Sequence, residues 1–103
     1  MSKVIHNITE FNNIIAKDRL SVVDFFGTWC KPCMQMAPKF EQLAQKNTDV
    51  GFYKVDVDVA SDVATAAEVT AMPTFKFYRK GNVVGSIVGA NPTALREKID
   101  QLR

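Results

Sequence analysis

Hydrophobic positions along this chain take two forms: continuous β-branched or aromatic runs, and apolar stripes at helical spacing. The clearest run is Leu20-Ser21-Val22-Val23-Asp24-Phe25-Phe26. It is too apolar to leave one face in water, so it reads as a central strand covered on both sides. Gly51-Phe52-Tyr53-Lys54-Val55-Asp56-Val57-Asp58 alternates only in part and reads as a second inner strand. Thr74 to Tyr78 and Val83 to Val88 are two more, joined as a hairpin by Arg79-Lys80-Gly81-Asn82 with Gly in the turn. A short strand at Val4-Ile5 precedes them all.

Four helices are expected between and after these runs. Phe11, Ile14 and Ile15 share one face of the first, which Asn7 or Thr9 can cap. The second runs from about Cys30 to Lys46, buries Met36, Phe40, Leu43 and Ala44, and should bend near Pro38. Ser61 or Asp62 starts a short third helix through Val63, Ala64, Ala66 and Ala67. Asn91 caps the fourth and Pro92 opens it, with Leu95, Ile99 and Leu102 facing inward. The order β-α-β-α-β-α-β-β-α, with right-handed crossovers, makes the early strands parallel and the hairpin antiparallel. An α/β fold follows, with three layers (α/β/α), a central mixed sheet of five strands and four helices. Phe25, Phe40, Phe52, Phe75 and Phe77 belong to its core, and Met34 and Met36 read as packing.

Composition narrows the function. A chain of 103 residues, 47% hydrophobic, matches one domain over residues 1–103 with a core that needs no disulfide or metal. The 13 Lys+Arg and 11 Asp+Glu are scattered and leave a charge of +2, which argues against nucleic acid as a partner. No stretch approaches the ~20 apolar residues of a membrane span. The segment Met1 to Ile15 has no apolar block of the signal-peptide kind, so the expected compartment is the cytoplasm, with the nucleus not distinguished from it. One His and one Cys pair fall short of a structural zinc set, so no metal is expected.

The two cysteines fall together in Trp29-Cys30-Lys31-Pro32-Cys33, where the central strand ends and the second helix begins. Two intervening residues in a first helical turn bring the sulfurs close enough for a reversible disulfide. Cys30 sits at the helix N-terminus, where free N–H groups and the positive end of the dipole favour thiolate. Cys33, one turn in and more enclosed, keeps its proton longer. Cys30 is therefore the attacking thiol and Cys33 the resolving one. Pro32 restricts the loop between them at no cost in hydrogen bonds. Lys31 adds a nearby charge, which at ~6 Å in water is worth about 0.7 kcal/mol, on the order of 15 mV toward a more oxidising couple. Asp24 interrupts an apolar strand, so its pKa should rise or a partner should be found. It reads either as a hydrogen-bonded structural acid or as a general base for the proton of Cys33.

Beyond the Trp29-to-Cys33 motif, the segments Val22-Val23-Asp24-Phe25, Ala37-Pro38, Lys54-Val55-Asp56-Val57-Asp58, Ala71-Met72-Pro73-Thr74 and Val88-Gly89-Ala90 carry a resemblance to the thioredoxin family over nearly the whole chain. Gly89-Ala90-Asn91-Pro92 is most similar to its eukaryotic, fungal-like cytosolic branch. One departure is Lys31, where thioredoxins usually have Gly. The resemblance implies a protein-disulfide reductase that binds no cofactor and draws on NADPH indirectly through thioredoxin reductase. Peroxiredoxins, methionine sulfoxide reductases and ribonucleotide reductase would be its clients, and the working form would be a monomer. It implies the general-base role for Asp24 with Lys54 as charge partner, and a cis bond before Pro73. It also implies a client-docking rim of Trp29, Lys31, Pro32, Val57, Met72, Pro73, Val88, Gly89 and Ala90. A disulfide oxidant or isomerase and a binding module with idle sulfurs are the competing functions.

Overall fold

The computed structural model describes residues 1–103. Five strands, β1 (Lys3–Val4), β2 (Ser21–Phe26), β3 (Gly51–Asp56), β4 (Thr74–Arg79) and β5 (Asn82–Val88), form one sheet in the order β1-β3-β2-β4-β5. β2 pairs parallel with β3 and antiparallel with β4, so the central strand is indeed the apolar run. Four helices flank the sheet: α1 (Ile8–Ile15), α2 (Lys31–Lys46), α3 (Ser61–Ala66) and α4 (Pro92–Leu102).

Successive β2 residues supply opposite cores, as the pleat requires. Leu20 and Val22 join Met36, Phe40, Phe52, Phe75, Leu95 and Ile99 under α2 and α4. Val23 and Phe25 join Phe11, Val55, Val63 and Tyr78 under α1 and α3. Both faces are dry, which is why β2 shows no polar alternation. All five phenylalanines expected in the core are buried, Phe25, Phe40, Phe75 and Phe77 completely.

Boundaries differ from the sequence expectation in a few places. β1 is Lys3–Val4, one residue earlier, while Ile5 remains buried and its N–H bonds to the Lys54 carbonyl at 2.9 Å. Asn7 caps α1, its side chain accepting the Glu10 N–H at 2.9 Å. β3 stops at Asp56, whose carboxylate accepts the Asp58 N–H at 3.0 Å and turns the chain, leaving Val57 and Asp58 in the turn. The N-cap of α3 is Ala60, which has no side-chain acceptor; Asp62 in the first turn accepts the Val63 N–H at 2.9 Å through Oδ1 and the α1 N–H of Ile8 at 3.2 Å through Oδ2. Pro38 lies on the exposed side of α2 and does not interrupt it.

The β4–β5 turn is Lys80-Gly81, both with positive φ (54° and 82°), as a two-residue hairpin with right-handed strand twist needs. Its backbone is fastened to the end of α1: Lys80 N–H donates to the Lys17 carbonyl (2.9 Å) and Gly81 N–H to the Ile15 carbonyl (2.7 Å). At the other end of the hairpin Gly89 N–H donates to the Pro73 carbonyl at 2.9 Å.

Candidate active site

The ends of β2 and of the β4–β5 hairpin meet at the first turn of α2. Cys30 is the N-cap residue of that helix, with extended backbone, and its Sγ accepts the Cys33 N–H at 3.2 Å. A sulfur thus takes the position that a Ser or Asp oxygen occupies in an ordinary cap, facing an unpaired helical N–H. Pro32 sits within the first turn, where its missing N–H costs nothing. Cys30 and Cys33 are joined as a disulfide with Cα atoms 5.3 Å apart. Their exposures are close, 5% and 2%. The asymmetry expected from enclosure is therefore small in this state, and what distinguishes the two is the capping position of Cys30.

Across from the pair, Met72–Pro73 is a cis peptide, and the Met72 carbonyl oxygen lies 3.7 Å from Cys30 Sγ. Thr74 registers with Val88, and the Pro73–Gly89 hydrogen bond closes the end of the sheet. Gly89 has φ of 107°, a conformation that glycine adopts at no steric cost. The rim around the disulfide is apolar and open. Trp29 is 62% exposed and Val88 66%, and Lys31, Pro32 and Ala90 are exposed, while Val57, Met72 and Gly89 are half-buried and Pro73 is buried. The surface concavities lie elsewhere on the molecule, so this rim offers a flat face rather than a pocket.

Three surface features were not legible in the sequence. The Trp29 indole lies over Gly27, where an added Cβ would stand 2.5 Å from the ring, and its Nε1–H donates to Asp58 Oδ2 at 2.7 Å. Val59 is 74% exposed, and Met34, expected in the packing, is 42% exposed on the outer side of α2; Met36 is the buried one. Gly27 beside an aromatic was the only available signal.

Asp24 is 2% exposed, with its Oδ1 lacking any hydrogen-bond partner. Burial pushes its pKa up to about 7, against the pull of Lys54 and with the added repulsion of Glu41. Lys54 stands directly opposite it on β3, yet no ion pair joins them; the Lys54 ammonium lies 5.1 Å from the centre of the Phe26 ring. The Asp24–Lys54 interaction is one of field rather than contact.

A reversible Cys-x-x-Cys disulfide capping a helix, beneath a cis-proline and beside an apolar rim, defines a thiol–disulfide oxidoreductase of the α/β/α kind. The Thioredoxin family model matches residues 2–101. Thioredoxin-1 of Schizosaccharomyces pombe is 48% identical over 99 residues, 96% of each chain. The oxidised form of mitochondrial thioredoxin 3 from Saccharomyces cerevisiae superposes with a TM-score of 0.93 at 46% identity, covering 98% of this chain and 95% of that one. A chain from a structure describing thiol resolution in yeast mitochondrial 1-Cys peroxiredoxin via glutathione/thioredoxin systems gives the same TM-score, identity and coverage. The chain belongs to the thioredoxin family, and its activity is that of a protein-disulfide reductase.

Proposed function

We propose that this thioredoxin works as a monomeric cytoplasmic electron carrier, reduced by an NADPH-dependent thioredoxin reductase and oxidised by disulfide-bearing client proteins. The observation that carries the reading is Cys30 at the α2 cap, joined to Cys33 and with its sulfur beside the Met72 carbonyl. A client chain laid along that rim meets exposed backbone and apolar side chains, the means by which extended polypeptide is held.

In the forward reaction the Cys30 thiolate attacks one sulfur of the client disulfide; a Cys30–client disulfide forms and the second client sulfur leaves as thiolate. Asp24 takes the proton of Cys33. The Cys33 thiolate then attacks Cys30 Sγ, forming Cys30–Cys33 and releasing the reduced client. Two electrons pass to the client, whose two thiolates are protonated, one by the proton held on Asp24 and the other from water, and the reductase returns the electrons. A pKa near 7 suits Asp24 to give and accept that proton at neutral pH. Among clients, a peroxiredoxin has a direct precedent in the subject of one similar structure. Methionine sulfoxide reductase and ribonucleotide reductase need the same dithiol chemistry.

Insulin-disulfide reduction driven by NADPH and thioredoxin reductase tests the assignment. The native chain should turn over, and Cys30→Ser should not. No turnover by the native chain overturns it.

A further inference from the structure

Basic residues that are scattered along the chain are gathered by the fold on one flank of the disulfide. On α2, Lys31, Gln35, Lys39, Gln42 and Lys46 follow one another at helical spacing, so they form a single stripe roughly 22 Å long that starts beside Cys30. All five are exposed. Arg96 of α4 borders the same stripe: with Thr93 it faces Lys39, Gln42 and Lys46 across a groove of about 200 Å³, which Glu97 and Asp100 of α4 do not line. None of these cations takes part in the ion pairs of the chain, which are His6–Glu10 and Arg103–Asp49. The one acid of α2, Glu41, lies off the stripe and is held by the Ser2 N–H at 3.0 Å and by the Ser2 hydroxyl. The opposite flank has the other sign. Residues 55–75 contain Asp56, Asp58, Asp62 and Glu68 and no Lys or Arg, and Asp58 meets the rim itself by accepting the Trp29 indole N–H at 2.7 Å.

We propose that the α2 stripe and the α2–α4 groove continue the client-docking rim and take an acidic stretch of a partner polypeptide, lying to one side of its disulfide. The inference rests on the docking rim of the proposed function and names the kind of client it prefers. A helix face that meets only water commonly mixes both signs of charge, whereas this one carries Lys31, Lys39 and Lys46 unneutralised and draws Arg96 from the neighbouring helix. Lys31 belongs to both surfaces, so a chain laid past Cys30 toward α2 passes from apolar contacts to ammonium groups without a break. Carboxylates on that chain find charged donors with no resident acid to displace. The acidic flank across the disulfide repels the same stretch. Charge therefore selects which way round a client lies as well as which client approaches.

The test mixes pre-reduced protein with peptides that share one internal disulfide and differ in a flanking arm of Glu, of Gln or of Lys residues, and reads the second-order rate of reduction. At low salt the Glu peptide should react about fivefold faster than the Gln peptide, the scale of two exposed charge pairs, and the Lys peptide more slowly than either. At about 0.5 M salt the three should converge. The double variant Lys39→Glu with Lys46→Glu should lose the preference, and Lys39→Arg with Lys46→Arg should keep it. Both should reduce hydroxyethyl disulfide, which is small and uncharged, at the native rate. Equal rates for the Glu and Gln peptides with the native protein, or a preference that survives Lys39→Glu with Lys46→Glu, overturn the proposal. So does a single-stranded DNA oligomer that binds this flank while the peptides react alike, which would assign it to nucleic acid. Reduction of every peptide alike leaves the reductase reading standing and removes only this inference, whereas failure to reduce any disulfide removes both.

Discussion

Replacing Asp24 by Asn should change how stability depends on pH more than it changes stability at any one pH. In the folded protein the carboxyl titrates at about 7 because burial disfavours its charge, against 3.8 in the ordinary case. Between those values the unfolded chain has lost the proton and the folded one keeps it, so stability falls as pH rises from about 4 to about 7 and is level above. The difference, about three pH units at about 1.4 kcal/mol each, amounts to about 4 kcal/mol. Of this, about 3 kcal/mol falls between pH 4.5 and pH 8.5. Asn has no such titration. Urea unfolding of both disulfide-bonded proteins at the two pH values should show the native midpoint falling by roughly 2 M more than that of the variant. Glu10 and Glu41, whose pKa values are lowered, oppose the trend, and Glu10 does so equally in both proteins. Equal pH dependence would refute the buried, uncompensated state of Asp24. The same variant should slow release of the mixed disulfide more than its formation, measured by single-turnover exchange at neutral pH.

Gly27→Ala should displace the Trp29 indole, since the new methyl would stand 2.5 Å from the ring, and should break the hydrogen bond to Asp58. The single tryptophan makes its emission spectrum a direct readout, with a raised KM for protein clients alongside. Phe40→Ala removes a fully buried ring that packs at 5.3 Å on Phe52 and 5.8 Å on Phe75, and should cost about 3–5 kcal/mol in urea unfolding. Lys31→Gly removes an exposed charge beside Cys30 and should make the couple more reducing by on the order of 15 mV in equilibrium with glutathione.

Much of the fold was legible because its strongest local signals agree with its long-range packing. The unbroken β2 run could be accommodated only between two helix layers, and the Asn91-Pro92 start of α4 and the Lys80-Gly81 turn are set by residues next to one another. Cys30, Cys33 and Asp24 were legible for the same reason: each is chemically out of place in its immediate neighbourhood. What the sequence concealed depends on contacts between distant segments. Asp58 matters because the β3 turn brings it under the Trp29 indole, and Glu41 because α2 carries it to Ser2, 39 positions away. Asp62 looks like an acceptor for its own helix alone, and its second oxygen holds the first N–H of α1 as well. Met34 and Met36 are alike by type, and only the phase of α2 sends one inward and the other out.

The β4–β5 hairpin is anchored at both ends, to the last turn of α1 at its tip and through Pro73 and Gly89 at its mouth. The backbone proposed to receive clients thus sits on a braced strut. Little conformational entropy is lost on encounter, and equally little is regained on departure. Contacts with each client can then be few and short-lived, suiting a carrier that must leave one protein before it can serve the next.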